Sequence, residues 1–331
     1  MKTLAVCIPT YRRPEFLARC IESAYVSAVD RPLVVAVADD STDEVNAAVM
    51  QALMARHPTL SWHRNATNLG IDRNIQRAVD ACEADFVWLI GEDDQFTPDA
   101  VARVYDLVQQ TAEPFIFVNY QYVDADHTRV LRVVANGLAR GRHPAEPFVR
   151  ELLWMTGFIG ACVVDRREFQ RIDPVAYDGT YFTHVGRIVE MIAAAGTLTV
   201  EPTPCVANRA QGADTFTWKH DSFGVFTGFE RMCRIAALRC PPLSSALADA
   251  AATYRRQAAY LSFRTSFRLR SEGALDLRQY RAYVAPMSIP FGQKARLLAL
   301  AIVPSLVLRP FAKAYIAWSR ARGAAVKSTH P

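Results

Sequence analysis

Residues Phe86-Val87-Trp88-Leu89-Ile90-Gly91-Glu92-Asp93-Asp94 pass from five apolar side chains through one glycine into three carboxylates. Five consecutive apolar residues predict a strand buried on both faces, as in the interior of a parallel sheet. Carboxylates crowded at the end of a strand repel one another unless a cation lies among them, and oxygen ligands suit Mg²⁺ or Mn²⁺. The alternative is a solvated acidic turn, but open α/β sheets bind their ligands at this end of the strands.

The same order of strand, polar loop and helix occurs four times in residues 1–110. Apolar runs predict four strands, at 4–8, 33–38, 60–64 and 86–90. Helical periodicity predicts that the segments between them are helices, at 15–27, at about 42–56 and at 71–82. This alternation predicts an α/β fold with a doubly wound, mostly parallel sheet flanked by helices.

The second part of the chain has a different pattern. Residues 115–123 and 128–135 are predicted to form strands of an added antiparallel layer. From about 216 to 270 the periodicity is helical. We therefore predict a first domain at 1–215 and a helical C-terminal region at 216–331.

The composition of the 331 residues, 51% of them hydrophobic, supports a full core and one large domain with an appendage. Seven cysteines are scattered without a C-x-x-C pair or a histidine at zinc-site spacing. They are expected to be reduced thiols in a cytosolic protein. No apolar run reaches the roughly 18 residues of a membrane-spanning helix, so no such helix is expected.

The charged residues are unevenly distributed. Beyond Asp276 the chain has nine Lys and Arg and no acidic residue, whereas residues 1–276 have 29 basic and 33 acidic residues, a net charge of −4. The mildly acidic body argues against a nucleic-acid-binding protein. The basic tail predicts contact with an anionic surface.

The conspicuous polar residues all follow predicted strands. They are Thr10, Tyr11 and Arg13 after the first, Asp39-Asp40 after the second, Asn68, Gly70 and Asp72-Arg73 after the third, and Glu92-Asp93-Asp94 after the fourth. Loops at these positions converge on one edge of a parallel sheet. Together they suit a nucleotide diphosphate bound with a divalent ion. Neither the P-loop pattern nor G-x-G-x-x-G after the first strand is present, which argues against those two classes of nucleotide site.

Four motifs in this order resemble the family 2 glycosyltransferases of the GT-A fold, of the bacterial surface-polysaccharide type. They are Cys7-Ile8-Pro9-Thr10-Tyr11-Arg12-Arg13, Asp39-Asp40-Ser41-Thr42, Asn68-Leu69-Gly70 and Glu92-Asp93-Asp94. Each motif is weak alone, and their order at four strand ends carries the resemblance. The resemblance implies a nucleotide-binding half at 1–110 and an acceptor-side half at 111–215.

The resemblance also implies a nucleotide-sugar site. The residues assigned to it are Pro9, Thr10, Tyr11, Arg13, Asp39, Asn68, Gly70, Arg73 and Asp93. In the family the first-strand segment cradles the nucleotide, the first aspartate after the second strand contacts its base, and the Asn-x-Gly loop lies beside it. The family's DxD motif corresponds to Glu92-Asp93-Asp94, which implies Asp94 as ligand of Mg²⁺ or Mn²⁺. Glu92 departs from that motif but keeps the charge, and it is counted with the metal site.

The catalytic base is less clearly marked. In many members of the family it is the aspartate of a Glu-Asp pair before the helix that here spans 187–195, and no such pair occurs in this chain. His184 is the nearest residue able to take a proton, and neutral imidazole is a competent base at cytosolic pH. It could equally be a histidine packed in a loop. Asp178 is the second candidate, although an aspartate before a glycine is more often a turn residue.

A polar segment at 208–220 corresponds to a loop that closes over the donor in the family. Arg209, Trp218 and His220 are therefore predicted to contact the pyrophosphate or the acceptor. Farther on, a stretch interrupted by Pro304 has apolar and basic residues on opposite helical faces. The apolar face has Val307, Phe311, Ala314 and Trp318, and the basic face has Arg309, Lys313 and Arg320. This pattern favours a helix lying on an anionic membrane leaflet over a helix packed on the core.

These observations predict a metal-dependent, inverting glycosyltransferase. It would move a sugar from a nucleotide-sugar donor to a saccharide acceptor, lipid-linked, in O-antigen-like or capsule-like polysaccharide biosynthesis. Its expected location is the cytoplasm, peripheral on the inner face of the cytoplasmic membrane. Two alternatives stand beside this function: a nucleotidyltransferase, and a non-catalytic scaffold subunit that binds a nucleotide sugar.

Overall fold

The structure is a computed structural model that describes residues 1–209, 221–287 and 289–311. Ten strands form one sheet within these residues. They are β1 Leu4–Thr10, β2 Val34–Asp39, β3 Leu60–Arg64, β4 Phe86–Leu89, β5 Gln95–Phe96, β6 Phe115–Val123, β7 Val130–Val133, β8 Gly141–Pro144, β9 Cys162–Asp165 and β10 Thr197–Arg209.

The strands lie in the order β3-β2-β1-β4-β9-β6-β10-β5, with β7 against β6 and β8 against β10. Strands β3, β2, β1 and β4 are parallel to one another. Strand β9 runs antiparallel between β4 and β6, so that β6 and its parallel neighbour β10 point the same way as β4. The mostly parallel sheet predicted from the sequence is confirmed.

Helices cover both faces of the sheet and form the C-terminal region. They are α1 Pro14–Ala28, α2 Ala47–Arg56, α3 Ile71–Asp80, α4 Ala100–Gln110, α5 Ala145–Leu152, α6 Arg166–Arg171, α7 Thr183–Ala195, α8 Ser222–Arg239, α9 Ser244–Ala258, α10 Phe263–Ser271, α11 Leu277–Gln279 and α12 Phe291–Ile302. Short 3-10 helices lie at Leu153–Gly157, Ile159–Ala161, Pro174–Tyr177 and Pro241–Leu243.

Strand β4 lies in the middle of the core, as its apolar run predicts. All four of its residues are buried. Trp88 is fully buried, and its indole N–H donates to the carbonyl oxygen of Gly160 over 2.9 Å. Its ring meets the ring of Phe96 edge to face at 4.7 Å. Burying an aromatic residue with its one donor satisfied anchors the strand whose end carries the three carboxylates.

Two predictions from the sequence are wrong in detail. Helix α2 begins at Ala47, not near 42, because the side chain of Asp39 accepts hydrogen bonds from Ser41 N and Asn46 Nδ2 and holds the intervening segment as a loop. Strand β6 lies inside the main sheet rather than in an added layer. Its run of six buried residues at the start is typical of a central strand.

The C-terminal helices pack onto the sheet domain. Helix α8 packs against α7, and α9 packs against α5 and α8. Gly228 of α8 lies so close to the carbonyl oxygen of Thr180 that a Cβ there would approach it to 1.9 Å. The predicted helical C-terminal region is confirmed for the described residues, whereas the predicted boundary at 215 lies outside them.

The last described helices show no membrane-spanning element on their own. Within residues 1–209, 221–287 and 289–311 no single helix has the length and apolarity to cross a bilayer. Helix α12 and the following helix, Ser305–Phe311, reach that length only together, and a bend of 99° separates them.

Candidate functional site

The three carboxylates after β4 lie where the ends of β1, β4 and β10 meet. Arg13, in the loop after β1, places Nη1 at 3.0 Å from Asp93 Oδ2 and at 3.5 Å from Glu92 Oε1. Arg209, at the end of β10, donates its main-chain N–H to Asp94 Oδ1 over 3.2 Å. Three segments that are far apart in the sequence therefore form one cluster, which includes the loops after the first and fourth strands that the strand-end argument placed at one edge.

The cluster is enclosed and strongly anionic. Asp94 is 5% exposed. Burial, together with the neighbouring carboxylates, raises the pKa of Asp94 and raises the pKa of Glu92 to about 8. A Cβ on Gly91 would lie 3.2 Å from Asp94 Oδ2 and 3.5 Å from Asp93 Oδ1, so a larger residue would crowd the carboxylates. A cation bound among these carboxylates would therefore stabilise their ionised form.

The residues present fit a divalent ion held partly by substrate. No group of three or more His, Cys, Asp or Glu side chains is arranged as a metal-binding cluster in the part of the chain that the structure describes. Mg²⁺ usually binds through one or two carboxylates together with substrate phosphates and waters rather than in an all-protein cage. The Asp93-Asp94 pair at a strand end supplies such carboxylates.

Asp39 is a buried structural residue at the end of β2. Its side chain accepts three hydrogen bonds, from Ser41 N at 2.9 Å, Asn46 Nδ2 at 3.0 Å and Trp62 Nε1 at 3.1 Å. It has no exposed surface. These contacts shape the loop between β2 and α2. The predicted contact between Asp39 and a nucleotide base stays a prediction.

Asp40 is a positioning residue, although no role in the site was predicted for it from the sequence. Its carboxylate accepts from Asn65 Nδ2, Leu69 N and Gly70 N at 2.7 to 3.0 Å. Its own main-chain N–H donates to Thr10 O over 2.9 Å. Asp40 therefore ties the loop after β3 to the end of β1, and a second aspartate at a strand end was the signal for it.

The predicted nucleotide-binding loops are brought together by these bonds. Gly70 has φ of 80°, a conformation that favours glycine, and its N–H also contacts Asn68 Oδ1 at 3.1 Å. Pro9 and Thr10 are buried, and Tyr11 is half-buried. The Thr10 hydroxyl is buried without a hydrogen-bond partner among the described residues.

Arg209 lies over an aromatic ring beside the carboxylates. Its guanidinium carbon is 4.4 Å from the centre of the Phe16 ring, and that of Arg19 is 5.2 Å from the same ring. Arg209 is 8% exposed, and its Nε and Nη2 have no hydrogen-bond partner in the described residues. Trp218 and His220, predicted with Arg209 to form a lid, lie outside the described residues.

His184 is enclosed at the start of α7. It is 1% exposed, its Nε2 lies 3.0 Å from the carbonyl oxygen of Thr156, and its Nδ1 has no partner among the described residues. Burial lowers the pKa of His184 to about 4, so the ring is neutral. A hydroxyl of an acceptor has no access to it in this arrangement. The geometry therefore favours the packing role that the sequence left open, and argues against His184 as the base.

Asp178 pairs with a residue predicted to bind the donor. Arg73 at the start of α3 places Nε and Nη2 at 3.0 and 2.6 Å from Asp178 Oδ2. The Asp178 side chain is 33% exposed. Neighbouring Asp72 is buried and accepts from the N–H groups of Tyr181 and Thr183, which fixes the 178–183 loop against α3. Asp178 thus reaches the surface on a loop held beside the nucleotide half.

Two curated relatives match part of the chain. It is 22% identical over 213 residues to the abequosyltransferase RfbV of Salmonella typhimurium, covering 59% of this chain and 62% of that protein. It is 28% identical over 103 residues to a chondroitin synthase of Escherichia coli, covering 31% of this chain and 15% of that protein. The matches thus span less than two thirds of either relative.

Solved structures share the fold over nearly the whole chain. A structure of residues 1–349 of TarS from S. aureus covers 96% of this chain and 92% of its own length, with a TM-score of 0.58 and 11% identity. The same TarS fragment in complex with UDP-GlcNAc has a TM-score of 0.56 and 12% identity, covering 99% of this chain and 93% of its own. The mannosyltransferase PcManGT of Pyrobaculum calidifontis, in complex with GDP-Man and Mn²⁺, has a TM-score of 0.53 and 17% identity. It covers 99% of this chain and 88% of its own length.

The family is decided by a sequence match that contains the carboxylate cluster. The model of Glycosyl transferase family 2 matches residues 5–171, just over half of the chain. The match includes β1 to β4, the loops after them and the carboxylate cluster. The predicted GT-A-like fold and the predicted family are confirmed, and the chain belongs to glycosyl transferase family 2.

Proposed function

We propose that the protein is an inverting glycosyltransferase that moves a sugar from a nucleotide diphosphate donor to a hydroxyl of a saccharide acceptor. The observation that carries this proposal is the convergence of Arg13, Asp93, Asp94 and Arg209 at the end of β4. Structural neighbours in complex with UDP-GlcNAc, and with GDP-Man and Mn²⁺, support a donor of this class.

The loops after β1, β2 and β3 bind and orient the nucleotide. The backbone of Thr10 and the ring of Tyr11 lie at the end of β1, and Asp40 holds the Asn68-Gly70 loop opposite them. Arg209 supplies a buried, unsatisfied guanidinium that matches the bidentate geometry of a phosphate. Arg13 and Arg73 add positive charge along the same edge of the sheet.

Asp94, with Glu92 and Asp93 beside it, would hold Mg²⁺ or Mn²⁺. The ion would supply electrostatic compensation for the charge that develops on the leaving diphosphate. Arg13 keeps the Asp93 and Glu92 side chains in place through its two contacts. The protein's own contribution is to hold these carboxylates in a buried cluster before the donor arrives.

Asp178 takes the role of general base in this proposal. It is the candidate whose carboxylate reaches the surface, and Arg73 orients it. The acceptor hydroxyl gives its proton to Asp178 while its oxygen attacks the anomeric carbon on the face opposite the diphosphate. The bond from that carbon to the phosphate oxygen breaks, and the charge passes through an oxocarbenium-like state.

The acceptor is a saccharide carried on a lipid, and the setting is bacterial surface-polysaccharide assembly at the inner face of the cytoplasmic membrane. A curated relative named as an abequosyltransferase supports a saccharide product. Exposed apolar residues in the last described helix, Leu306, Val307 and Phe311, support a membrane surface as partner. A nucleic acid has no part in this function.

Release of nucleoside diphosphate tests the proposal. The purified full chain is incubated with a panel of nucleotide sugars and Mn²⁺, with and without a lipid-linked saccharide, beside Asp94→Asn and the surface control Asp30→Asn. A glycosyltransferase releases nucleoside diphosphate slowly to water and faster with acceptor. A nucleotidyltransferase would instead form nucleoside triphosphate and sugar 1-phosphate from the nucleotide sugar when inorganic pyrophosphate is added, and binding without any turnover would identify a scaffold subunit.

A further inference from the structure

A surface depression in the C-terminal helical region has an unusual concentration of arginine. It has a volume of about 320 Å³ and lies between the end of α9, the start of α10 and the first turns of α12. Its charged lining residues are Arg255, Arg256 and Arg296, and Ser262 and Gln293 add polar groups. Among the residues that the structure describes, no acidic side chain lines it.

The three arginines differ in what they already bind. Arg255 is paired with Glu230 of α8 through Nε at 2.9 Å and through Nη2, and the hydroxyl of Tyr260 donates to the same carboxylate. Arg255 is therefore neutralised and holds α9 to α8. It forms one wall of the depression rather than an available cation.

Arg256 and Arg296 have no carboxylate partner among the described residues. Arg256 is exposed and donates from Nη2 to the hydroxyl of Thr253 over 2.9 Å. Arg296 donates to the carbonyl oxygen of Leu261, and its buried Nε has no partner in the part of the chain that the structure describes. An unsatisfied guanidinium donor in a cationic depression favours an anion with several acceptor oxygens.

Exposed aromatic residues lie close in the sequence to the lining residues Ser262 and Gln293. Phe263, next to Ser262, is 56% exposed, and Phe291, at the start of α12, is 85% exposed. From the last residue of α12 onward the exposed apolar residues continue with Ile302, Leu306, Val307 and Phe311. Solvent-exposed aromatic side chains beside a cationic depression are typical of a surface that meets lipid head groups.

We infer that this depression binds the phosphate of an anionic membrane phospholipid, with Phe263 and Phe291 in the interface beside it. The positive charge of the chain beyond Asp276 is consistent with this inference, since nine basic residues and no acidic residue follow that position. Basic pockets and basic segments close to a bilayer recognise anionic head groups in this way. The inference rests on the membrane setting of the proposed function and does not depend on the donor or on the chemistry.

Vesicle flotation of the full chain tests the inference. The vesicles are phosphatidylcholine alone or phosphatidylcholine with phosphatidylglycerol. The test variant is Arg256→Gln with Arg296→Gln, and the matched control is Arg234→Gln with Arg278→Gln, which removes the same charge from exposed positions that do not line the depression. We expect the test variant to lose about thirtyfold in partition onto the phosphatidylglycerol vesicles and the control to lose much less.

Two further arms make the result specific. Inorganic phosphate is titrated against the soluble protein, followed by thermal shift, because a site for free phosphate would respond without any membrane. The single variant Arg256→Glu guards against misfolding, since this side chain is exposed and, within the described residues, its hydrogen bond is to the hydroxyl of Thr253. Donor hydrolysis without vesicles is recorded for every variant, and it tests the proposed function separately.

The inference is overturned in any of three cases: the test and control variants lose partition equally, Arg256→Glu floats like the wild type, or inorganic phosphate shifts the unfolding temperature while vesicles show no dependence on phosphatidylglycerol. Equal losses would mean that diffuse positive charge, not this depression, draws the protein to the membrane.

Discussion

Arg209 donates its main-chain N–H to the carboxylate of Asp94 over 3.2 Å, which joins two residues that are 115 positions apart. Asp94 lies in the predicted nucleotide-binding half of the chain, and Arg209 ends the last strand of the predicted acceptor-side half. The same arginine places its unsatisfied guanidinium over Phe16, in the first turn of α1. The pair therefore connects the carboxylate cluster to both halves of the site.

We expect Asp94→Asn to abolish the Mn²⁺-dependent part of nucleoside diphosphate binding while the fold is kept. The amide retains an acceptor for Arg209 N and removes one charge from a buried, repelling cluster, so the unfolding temperature should stay equal or rise. Calorimetric titration of UDP and GDP, with Mn²⁺ and with a chelator, measures the effect against Asp30→Asn. Metal-dependent binding that equals the wild type would show that Asp94 is not a ligand.

Arg209→Gln should weaken binding of a nucleoside diphosphate and leave binding of the corresponding nucleoside unchanged. The lost charge-assisted hydrogen bonds to phosphate are worth about 1.5–3 kcal/mol, or roughly tenfold to a hundredfold in Kd. Arg19→Gln is the control, because Arg19 lies over the same ring and its side chain is 51% exposed. Equal losses of diphosphate affinity in the two variants would show that Arg209 contributes no more to phosphate binding than Arg19 does.

Asp39→Ala is expected to act mainly on stability. Its removal leaves the buried donors of Ser41, Asn46 and Trp62 without their acceptor, and each unsatisfied donor costs about 1–3 kcal/mol. Urea unfolding followed by fluorescence measures the loss. An unchanged free energy of unfolding combined with weaker nucleotide binding would instead give Asp39 the role of a base contact.

Substitutions of Asp178 and of His184 should affect different properties, turnover in the first case and stability in the second. Asp178→Asn should lower turnover by about 10²–10⁴-fold with little change in donor affinity, because a positioned base is lost. His184→Gln should cost stability, not the chemical step. Steady-state kinetics of both variants decide the assignment, and a turnover loss confined to His184→Gln would reverse it.

His184 also predicts a dependence of stability on pH. Burial depresses its pKa in the folded state to about 4, below the value of about 6.5 in the unfolded chain. The unfolded state therefore binds more protons, and this contribution to stability is complete above about pH 6.5 and is lost as the pH falls towards 4. Unfolding temperatures of the wild type and His184→Gln across this range should converge on acidification. A constant difference would mean that the ring titrates equally in both states.

Truncation after Pro304 should weaken the attachment to anionic vesicles, while the depression lined by Arg256 and Arg296 keeps part of it, and should leave donor hydrolysis unchanged. The cut spares α12, whose Leu297 and Ala301 are buried, and removes the exposed Leu306, Val307 and Phe311 together with the basic end of the chain. Flotation at low and high salt measures the loss, since screening weakens surface attraction. Equal flotation of the truncated chain would place the membrane contact elsewhere.

The sequence predicted the sheet because a buried strand can be recognised from its own run of apolar residues. The strands predicted at 4–8, 33–38, 60–64 and 86–90 correspond to β1 to β4, and their predicted ends lie within two residues of the observed ones. Polar residues directly after parallel strands must lie at one edge of the sheet, independently of how the connecting helices pack. For that reason the meeting of Arg13 with the carboxylate cluster was predictable.

The tertiary structure decided which polar side chains are already hydrogen-bonded within the protein and which can contact a ligand. Nothing local distinguishes Asp39, saturated by Trp62 and Asn46, from a carboxylate free to contact a ligand, since its partners lie up to 23 positions away. His184 was ambiguous for the same reason, because its partner, the carbonyl oxygen of Thr156, lies 28 positions away. The pairing of Arg73 with Asp178, 105 positions apart, joins a predicted donor contact to a predicted base.

By itself, then, the sequence determined the family, the order of the strands' polar ends and the basic, acid-free tail, because each is a property of neighbouring residues or of simple charge. Only the tertiary structure decided that Arg209 lies on Phe16 beside Asp94, that Asp40 holds the Asn68-Gly70 loop, and that Arg256 and Arg296 share one depression. Those relationships depend on how distant segments pack, and packing determines which hydrogen bonds and charges are satisfied within the protein and which are left for a ligand.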